Sequence, residues 1–586
     1  MKTELIHKFN ENISLVEQVY RNRGFKNASD WKHYLNVSKN DILDPLLLKN
    51  MKQGARMLIS HIQKQHKVMV QIDSDCDGFT SAAVLINYLN QLFPSFVQNN
   101  VFYRPHTEKH HGIIIDTIPS DIKLVIAPDS SSNQLDIHQQ LQERGIDVLI
   151  LDHHKTTEGE SPYACVINNQ LCDYPNKTLS GVGVVYKFCS YIDTLLGVHF
   201  ADQYLDLVAL GMIADVMELK DFETRYLIDQ GLLNIQNPFL IGWCAKDAYH
   251  FGPGVRVTPK AIAWNIAPAI NAVARMGTYE EKLLLFESML ENKAYTSIPS
   301  TKRGHAGEYE TIVEQACRNC TNIRNRQNKA RDASLEIIEQ LIKEESLLEN
   351  QILVVKLKKE YHTDKNITGL IANRLTKYNK PILVLNEITD DENQNTLWAG
   401  SGRNPIMSKD FNDFQKFILE FGLADFAEGH KNAFGCQFTD ANLKKFIEYS
   451  NKKLATFDFT PCIQVDADIP ASIISDYLSD LYELGDLDYI WGKGVDEPML
   501  LISNIKITNN VALFGSTLKI TISSGEEEIS LIKYKSSNEE YESLYSDLGC
   551  VTINAVGRVE LNRKWDGKPQ IIIEDYSIIK KTDYYF

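Results

Sequence analysis

Hydrophobic positions in the first 220 or so residues fall into short β-rich runs separated by longer stretches with helical spacing. Three runs end in acid: VMVQID at 68–73, LVIAPD at 124–129 and VLILDHH at 148–154. Apolar runs of this length read as buried strands. Strands alternating with helices predict an α/β fold with a parallel sheet covered on both faces. Such sheets bind ligands beyond the carboxyl ends of their strands, where all three acidic groups fall. The first run opens into DSDCDG, with Asp73, Asp75 and Asp77 at alternate positions before Gly78. Residues two apart on an extended segment point the same way. FTSAAVLINYLNQLF then has the apolar content of a helix. A later helical stretch, DQYLDLVALGMIADVMEL, sets Asp215 in apolar surroundings, where a buried carboxylate needs a cation or a hydrogen bond.

Elsewhere the pattern changes twice. Residues 1–50 read as a helical, polar lead-in. Residues 286–345 read as a charged, helix-prone connector, in which RNCTNIRNRQNKAR carries Arg318, Arg324, Arg326, Lys329 and Arg331 with no acid between them. Arginine suits phosphate geometry; a solvated helix face is the competing reading. Near the C-terminus, alternating runs such as ALFGSTLKITI and PQIIIEDYSII predict strands of a small β barrel. At 586 residues the chain exceeds one core, so about three or four domains are expected.

Composition narrows the function classes only slightly. Hydrophobic content of 44% and charge of 24% are ordinary for a soluble protein. No run approaches the roughly 18 apolar residues of a membrane span, and MKTELIHKFNENISL lacks signal-peptide order. Ten cysteines without a framework pattern fit reduced thiols in a cytoplasm. Cys317 and Cys320 form a CxxC with no second pair nearby, so two thiols on a helix are expected rather than zinc. A net charge of −16 argues against an indiscriminate nucleic-acid coat but leaves room for a local basic groove.

The strand ends together supply Asp73, Asp75, Asp77, Asp129, His153 and Asp215, with Asp152 and His154 beside them. Carboxylates aimed into one small volume repel each other unless cations lie between them. A solvated acidic turn would explain DSDCDG alone, but not acid recurring at the ends of the other strands. Hard carboxylates with one or two imidazoles suit Mn²⁺ or Mg²⁺ better than zinc. More than four carboxylates suggest a pair of ions, which in two-metal sites lie about 3.5–4 Å apart. No serine or cysteine triad stands out. GSGRN is too short and glycine-poor for a P-loop, and alone reads as a turn between a strand and a helix.

DSDCDG, the isolated Asp129, the DHH at 152–154 and the Asp215 element resemble, in order and spacing, the four motifs of the DHH phosphoesterase superfamily. Further stretches resemble its RecJ single-stranded-DNA exonucleases. IAPAINAVARMG (266–277) is similar to the segment that closes the DHH domain. ITGLIANRLTKYNKPILVL (367–385), GSGRN (400–404) and EGHKNAFG (428–435) are similar to the DHH-associated domain. WGKGVDEP and VGRVELNRKWDGKPQIIIED (556–575) resemble the OB domain.

The resemblance implies a parallel-sheet DHH catalytic domain (51–285), the helical connector, an α/β DHH-associated domain (346–460) and a C-terminal OB barrel (461–586) after the lead-in. It implies a monomeric exonuclease, using two Mn²⁺ or Mg²⁺ ions, that degrades single-stranded DNA from the 5′ end to mononucleotides. Asp75 and Asp77 would each serve one ion, Asp129 would bridge them, and His153 and Asp215 would complete the second site. Asp73 would be a ligand or stand behind the first ion. Asp152 would orient an imidazole, and His154 would face the scissile phosphate. Asn271 and Arg275 match polar positions near the substrate; Ser401, Arg403 and His430 would hold a terminal phosphate or nucleotide. Trp565, with Arg563 and Lys564, is a candidate for stacking on DNA, with packing in the barrel as the alternative. Two departures bear on end recognition. The family's phosphate-contacting arginine segment is YRPHTEKHHG here (103–112), where Arg104 or Lys109 is left to supply the charge, and Glu428-Gly429 replaces a double glycine. A phosphodiesterase for short oligonucleotides or cyclic dinucleotides, and a catalytically silent DNA-binding scaffold, are the competing functions. A single-strand-binding protein or a helicase is the partner the resemblance suggests.

Overall fold

The structure, a computed structural model, describes residues 2–583 apart from 11, 109, 157–158, 253, 390–395, 406–410 and 547–548. The chain divides into two compact units, Thr3–Cys320 with Ile463–Phe586, and Thr321–Cys462.

Within the first unit, β1 (Lys67–Ile72), β2 (Val101–Pro105), β3 (Ile122–Pro128), β4 (Asp147–Asp152) and β5 (Cys165–Asn168) form a sheet of order β2-β1-β3-β4-β5. Every pairing in it is parallel. Val68, Val70, Leu124, Ile126, Leu149 and Ile150 are buried, as a sheet covered on both faces requires. The strand order reverses between β1 and β3, the topological switch point at which sheets of this kind open a ligand crevice. Both strands run into aspartates there. Three helices bear on the acidic groups: α1 (Cys76–Leu92), α2 (Gly181–Leu196) and α3 (Leu205–Ala214). From Leu205 to Ile213 every residue of α3 is buried, so it is a core helix, packed against α1 and α2.

The remaining strands of this unit lie near the C-terminus. Their order is 467–470, 499–507, 549–561, 569–583, 527–534, 517–524 and 511–514. The burial of Thr517–Ser524 alternates along most of its length, as expected of strands with one face on a core. Among the described residues no pairing joins the two outer strands of the expected OB-type barrel. The N-terminal lead-in is helical, but its helices are not wholly polar. Helices Leu15–Asn22 and Ala28–Leu35 bury Leu15, Val19, Trp31 and Tyr34 in the same core as Ile490, Trp491 and the C-terminal strands. Apolar residues recurring on one face of each short helix outweigh the many polar ones around them. Arg23 then forks onto Asp466 through two contacts of 2.7 and 2.9 Å, with side chains 6% and 0% exposed.

A single 33-residue helix, Ile312–Glu344, carries the chain from one unit to the other. It accommodates two of the connector's cations locally: Arg318 reaches Glu310, and Arg331 reaches Asn328 and Asp332. In the second unit, β6 (Leu353–Leu357), β7 (Ile382–Thr389), β8 (Thr396–Arg403), β9 (Phe426–His430) and β10 (Ala433–Thr439) follow the order β9-β10-β8-β7-β6. Only β6 and β7 run parallel. GSGRN is therefore not a turn: Gly400–Arg403 lies within β8, paired to β10 on one side and β7 on the other.

Candidate metal centre

The strand bearing DSDCDG ends at Ile72, and a helix begins at Cys76. The three aspartates thus do not share an extended face. Asp75 is the N-cap of α1, accepting from the Gly78 N–H at 3.0 Å, and Asp77 stands in the first helical turn. They converge because the chain turns there. Asp77 is buried and accepts from Ser180 Oγ (3.0 Å) and from the N–H groups of Gly181 (2.7 Å) and Val182 (3.2 Å). The positive end of α2 therefore faces its carboxylate. Burial, then the charge of Asp75, pushes Asp77 up to about 6.

Asp129 leaves β3 with φ +63°, a left-handed conformation, and its N–H donates to Leu151 O at 2.7 Å. Its side chain is 2% exposed and Oδ1 accepts no hydrogen bond, although His153 Nε2 stands 3.2 Å away. Burial and the neighbouring Asp77 and Asp75 charges push Asp129 far above the usual carboxylate range. His153 Nε2 also lies 3.4 Å from Asp215 Oδ2 and 3.9 Å from Asp77 Oδ2. Asp215 closes the C-terminus of α3, its N–H bonded to Gly211 O at 3.0 Å. Burial, with the Asp77 and Asp75 charges, raises it to about 8. Beside this group, Asp152 accepts from Ser132 N, from the backbone of His153 and His154, and from His154 Nδ1 at 2.8 Å. Burial opposes ionisation of Asp152, but these donors outweigh it and hold the carboxyl low. Burial likewise disfavours charge on His154, yet the Asp152 hydrogen bond raises it to about 10.

Three overlapping groups result, in each of which one ligand atom per residue lies within 4.8 Å of the others: Asp129 with Asp152, His153 and His154; Asp77 with His153 and Asp215; and Asp73 with Asp75 and Asp129. A β-carbon on Gly181 would meet Asp129 Oδ1 at 2.3 Å, and one on Gly211 would meet Asp77 Oδ1 at 2.5 Å. The helices thus press against the carboxylates without a side chain between. Mutually raised carboxylates, an unsatisfied buried oxygen and an oxygen-and-imidazole donor set fit a hard divalent cation.

Residues 67–212 match the DHH family, N-terminal domain. Over 589 residues the chain is 35% identical to YorK of the SPbeta prophage of Bacillus subtilis strain 168, covering 99% of each. That protein is named, provisionally, a single-strand DNA-specific exonuclease. The single-stranded-DNA-specific exonuclease RecJ of the same bacterium is 25% identical over 96% of this chain and 68% of its own length. The chain belongs to the RecJ group of the DHH family. The fold agrees: the crystal structure of RecJ from Thermus thermophilus in complex with Mn²⁺ superposes with a TM-score of 0.69 at 19% identity, covering 98% of this chain and 77% of that one.

Other residues singled out from the RecJ resemblance occupy varied settings. Asp73 has a partner on each oxygen, His111 Nδ1 at 2.7 Å and Gly112 N at 3.1 Å. Burial raises Asp73, and His111 counteracts it. Asn271, on α4 (Ala267–Met276), accepts from Cys76 N at 2.9 Å and so fixes the start of α1. Arg275, a turn later, is half-buried and interacts with Asp75. Of the histidine-rich segment, His106 is buried and pushed down to about 3, so it brings no charge. Arg104 lies over the Tyr279 ring at 5.8 Å, and Lys109 falls outside the described residues. Trp565 is 82% exposed and does not pack in the sheet's core. Cys317 and Cys320 are both buried on the long helix, and burial pushes the Cys317 thiol up to about 11.

The RecJ-type motifs of the second unit share the end of one sheet. Arg403 of β8 and His430 of β9 both pair with Ala433 of β10, one from each side. Ser401 Oγ lies 3.0 Å from Thr368 Oγ1, and Arg403 Nε donates to Asn373 Oδ1 at 2.8 Å. Sequence reasoning missed His111 as a partner of Asp73, and the helix start at Ser180-Gly181. The second carried a signal, serine before a glycine and an apolar run, as at a helix N-terminus.

Proposed function

We propose that the chain is a Mn²⁺- or Mg²⁺-dependent exonuclease that degrades single-stranded DNA from the 5′ end, releasing 5′-mononucleotides, with two ions at the switch point of the parallel sheet. The observation that carries this reading is the buried Oδ1 of Asp129, which accepts no hydrogen bond, among converging carboxylates and His153. Asp75 and Asp77 would each hold one ion, Asp129 would bridge them, and His153 and Asp215 would complete the second site. Asp73, both of whose oxygens have partners, would steady the loop beside the first ion. When bound, the ions would polarise the phosphate oxygens and make water nucleophilic near neutral pH.

The chain's own groups do the rest. His154, held by Asp152 through Nδ1, would turn its other nitrogen to the scissile phosphate and donate to a non-bridging oxygen as negative charge builds there. Arg275 would balance the negative charge around Asp75, and Asn271 would keep the loop and α1 in register. Ser401, Arg403 and His430 would hold the terminal phosphate or nucleotide. The C-terminal strands would act as an OB-type module, with Trp565 stacking on a base. By the same reading the protein works as a monomer in the cytoplasm, alongside a single-strand-binding protein or a helicase.

A 5′-labelled 40-mer and a dinucleotide, each titrated with Mn²⁺ and Mg²⁺, test the proposal. Mononucleotides released progressively from the 40-mer's 5′ end are expected. Cleavage of the dinucleotide alone would replace this reading with a short-oligonucleotide phosphodiesterase. No metal-stimulated hydrolysis of either substrate would point to a silent scaffold.

A further inference from the structure

A buried lysine flanks the segment that reaches Asp73. Lys282 stands in the first turn of α5 (Tyr279–Ser288), seven residues after Arg275, and is 2% exposed. Nothing local calls for a lysine there. A cation in the first turn opposes the helix dipole, and a buried charge ordinarily has a partner of opposite sign. Among the described residues Lys282 pairs with no carboxylate. Its Nζ donates instead to His106 O at 3.0 Å and Thr107 O at 2.9 Å, in the segment that leaves β2 after Pro105. Burial disfavours its charge, which Glu108 partly offsets. Local rules broken together are expected where function demands it.

The helix that carries Lys282 is itself fixed. Thr278 and Glu281 cap it reciprocally, through Thr278 N to Glu281 Oε2 at 2.9 Å and Glu281 N to Thr278 Oγ1 at 3.2 Å. Tyr103 of β2 donates to Glu287, one helical turn further along, at 2.7 Å. The segment that Lys282 grips crosses the end of β1. His110 N donates to Ser74 Oγ at 3.3 Å, and His111 and Gly112 hold the two oxygens of Asp73. Ile113 N then reaches Ser131 Oγ at 3.2 Å and Gln134 Oε1 at 2.7 Å, beyond the end of β3. The segment is thus tied to both rims of the switch point. Asp73 is pressed from the other side, where a β-carbon on Gly78 would meet its Cβ at 2.6 Å. Asp73, Asp75 and Asp129 each bring one ligand atom within 4.8 Å of the others.

We propose that Lys282 is a positioning residue of the metal centre: by gripping the carbonyls of His106 and Thr107 it holds His111 against Asp73, the carboxylate that steadies the loop beside the first ion. This rests on the nuclease reading above for the chemistry done at that ion. Lys282 touches neither ion nor substrate and acts only through the segment. Partners that orient metal ligands carry about 10–100-fold of metal affinity or activity, and Lys282, one step further back, belongs at the lower end of that range.

Two measurements on the full chain test this: Mn²⁺ binding without DNA, read from the EPR signal of the free ion, and the Mn²⁺ dependence of cleavage of a 5′-labelled single strand. Lys282→Met keeps the buried stem and removes the donors. Mn²⁺ should bind about tenfold more weakly at one site. Half-saturation of cleavage should rise by about the same tenfold, and excess Mn²⁺ should recover the lost rate, which it would not do for a lysine that only supports the fold. His111→Ala, at a side chain 58% exposed, should reproduce the shift. The double variant should lose no more than the larger single loss, because the two residues act in one line. Mn²⁺ binding of Lys282→Met within twofold of wild type overturns the proposal, as does a rate that excess Mn²⁺ leaves low, or losses that multiply in the double variant. Unshifted Mn²⁺ binding in His111→Ala overturns it even if Lys282→Met does not fold. A tenfold weaker Mn²⁺ site in a protein that cleaves no strand would keep the positioning role and sink the nuclease reading. Cleavage by wild type with unshifted Mn²⁺ binding in the variants would do the reverse.

Discussion

Gly181→Ala tests the geometry of the centre without touching any group that bears charge. Glycine is not needed there for its backbone, because the position has no left-handed φ, and alanine is the better helix former. Propensity alone therefore predicts a neutral or mildly stabilising change. The packing predicts the opposite for function. The added carbon would lie 2.3 Å from Asp129 Oδ1 and 2.4 Å from its Cβ, where ordinary contacts begin near 3.4 Å. Rotating the carboxyl cannot relieve the second contact, and the Asp129 backbone is tied to Leu151 O at 2.7 Å. Either Asp129 or the start of α2 must move by about 1 Å, and the latter draws the Gly181 N–H away from Asp77. A misplacement of about 1 Å costs on the order of 10²-fold in rate, or about 2.7 kcal/mol of barrier. Initial rates on a 5′-labelled single strand at saturating Mn²⁺ measure it, with the thermal midpoint as a check on folding. A folded variant within threefold of wild type would refute the tight cradle.

Asp129→Ala should abolish turnover while changing oligothymidylate anisotropy less than threefold; retained cleavage would remove the bridging role. Removing divalent ions should lower the thermal midpoint, since a cation at 100 times its dissociation constant adds about 2.7 kcal/mol; an unchanged midpoint in a chelator titration would count against a metal centre in the folded state. In metal-free protein, Asp77 and Asp215 are raised to about 6 and about 8, so the stability they contribute is complete below their unfolded values near pH 4 and is lost as pH rises through these folded values. Metal-free Asp215→Asn should consequently gain on wild type between pH 5 and 9 in denaturant melts, and a constant difference would refute the raised carboxyl. Arg23→Ala should destabilise the first unit by about 3–5 kcal/mol, because it strands the buried Asp466; calorimetry showing less than about 1 kcal/mol would mean that the pair is not buried in solution.

Much of the centre is legible in the sequence because acid at strand ends is a local signal: β1, β3 and β4 lie where the apolar runs put them. The geometry within it is not. DSDCDG reads as period two, and only the helix starting at Cys76 turns Asp75 into a cap and Asp77 into a helical residue. The partner of Asp77 comes from 103 residues away at Ser180, a contact that no spacing rule reaches. Residues 1–50 mislead for a related reason. Their apolar positions fall on two helices of eight residues each, and they make sense only beside strands distant in the chain. GSGRN misleads because glycines suggest turns, whereas Gly400 is forced by a neighbouring backbone: a β-carbon there would meet Val384 O at 1.9 Å.

The embrace of Arg23 by Asp466 has a consequence for biogenesis. The two partners are 443 residues apart, so at about 5–20 residues per second the ribosome leaves the arginine waiting roughly 20–90 s for its mate. Leu15, Val19, Trp31 and Tyr34 wait with it, apolar and uncovered. The β-rich module therefore matures only once its strands between residues 467 and 583 have emerged, and a nascent chain stalled before residue 466 would be a client for chaperones even with its catalytic sheet already formed.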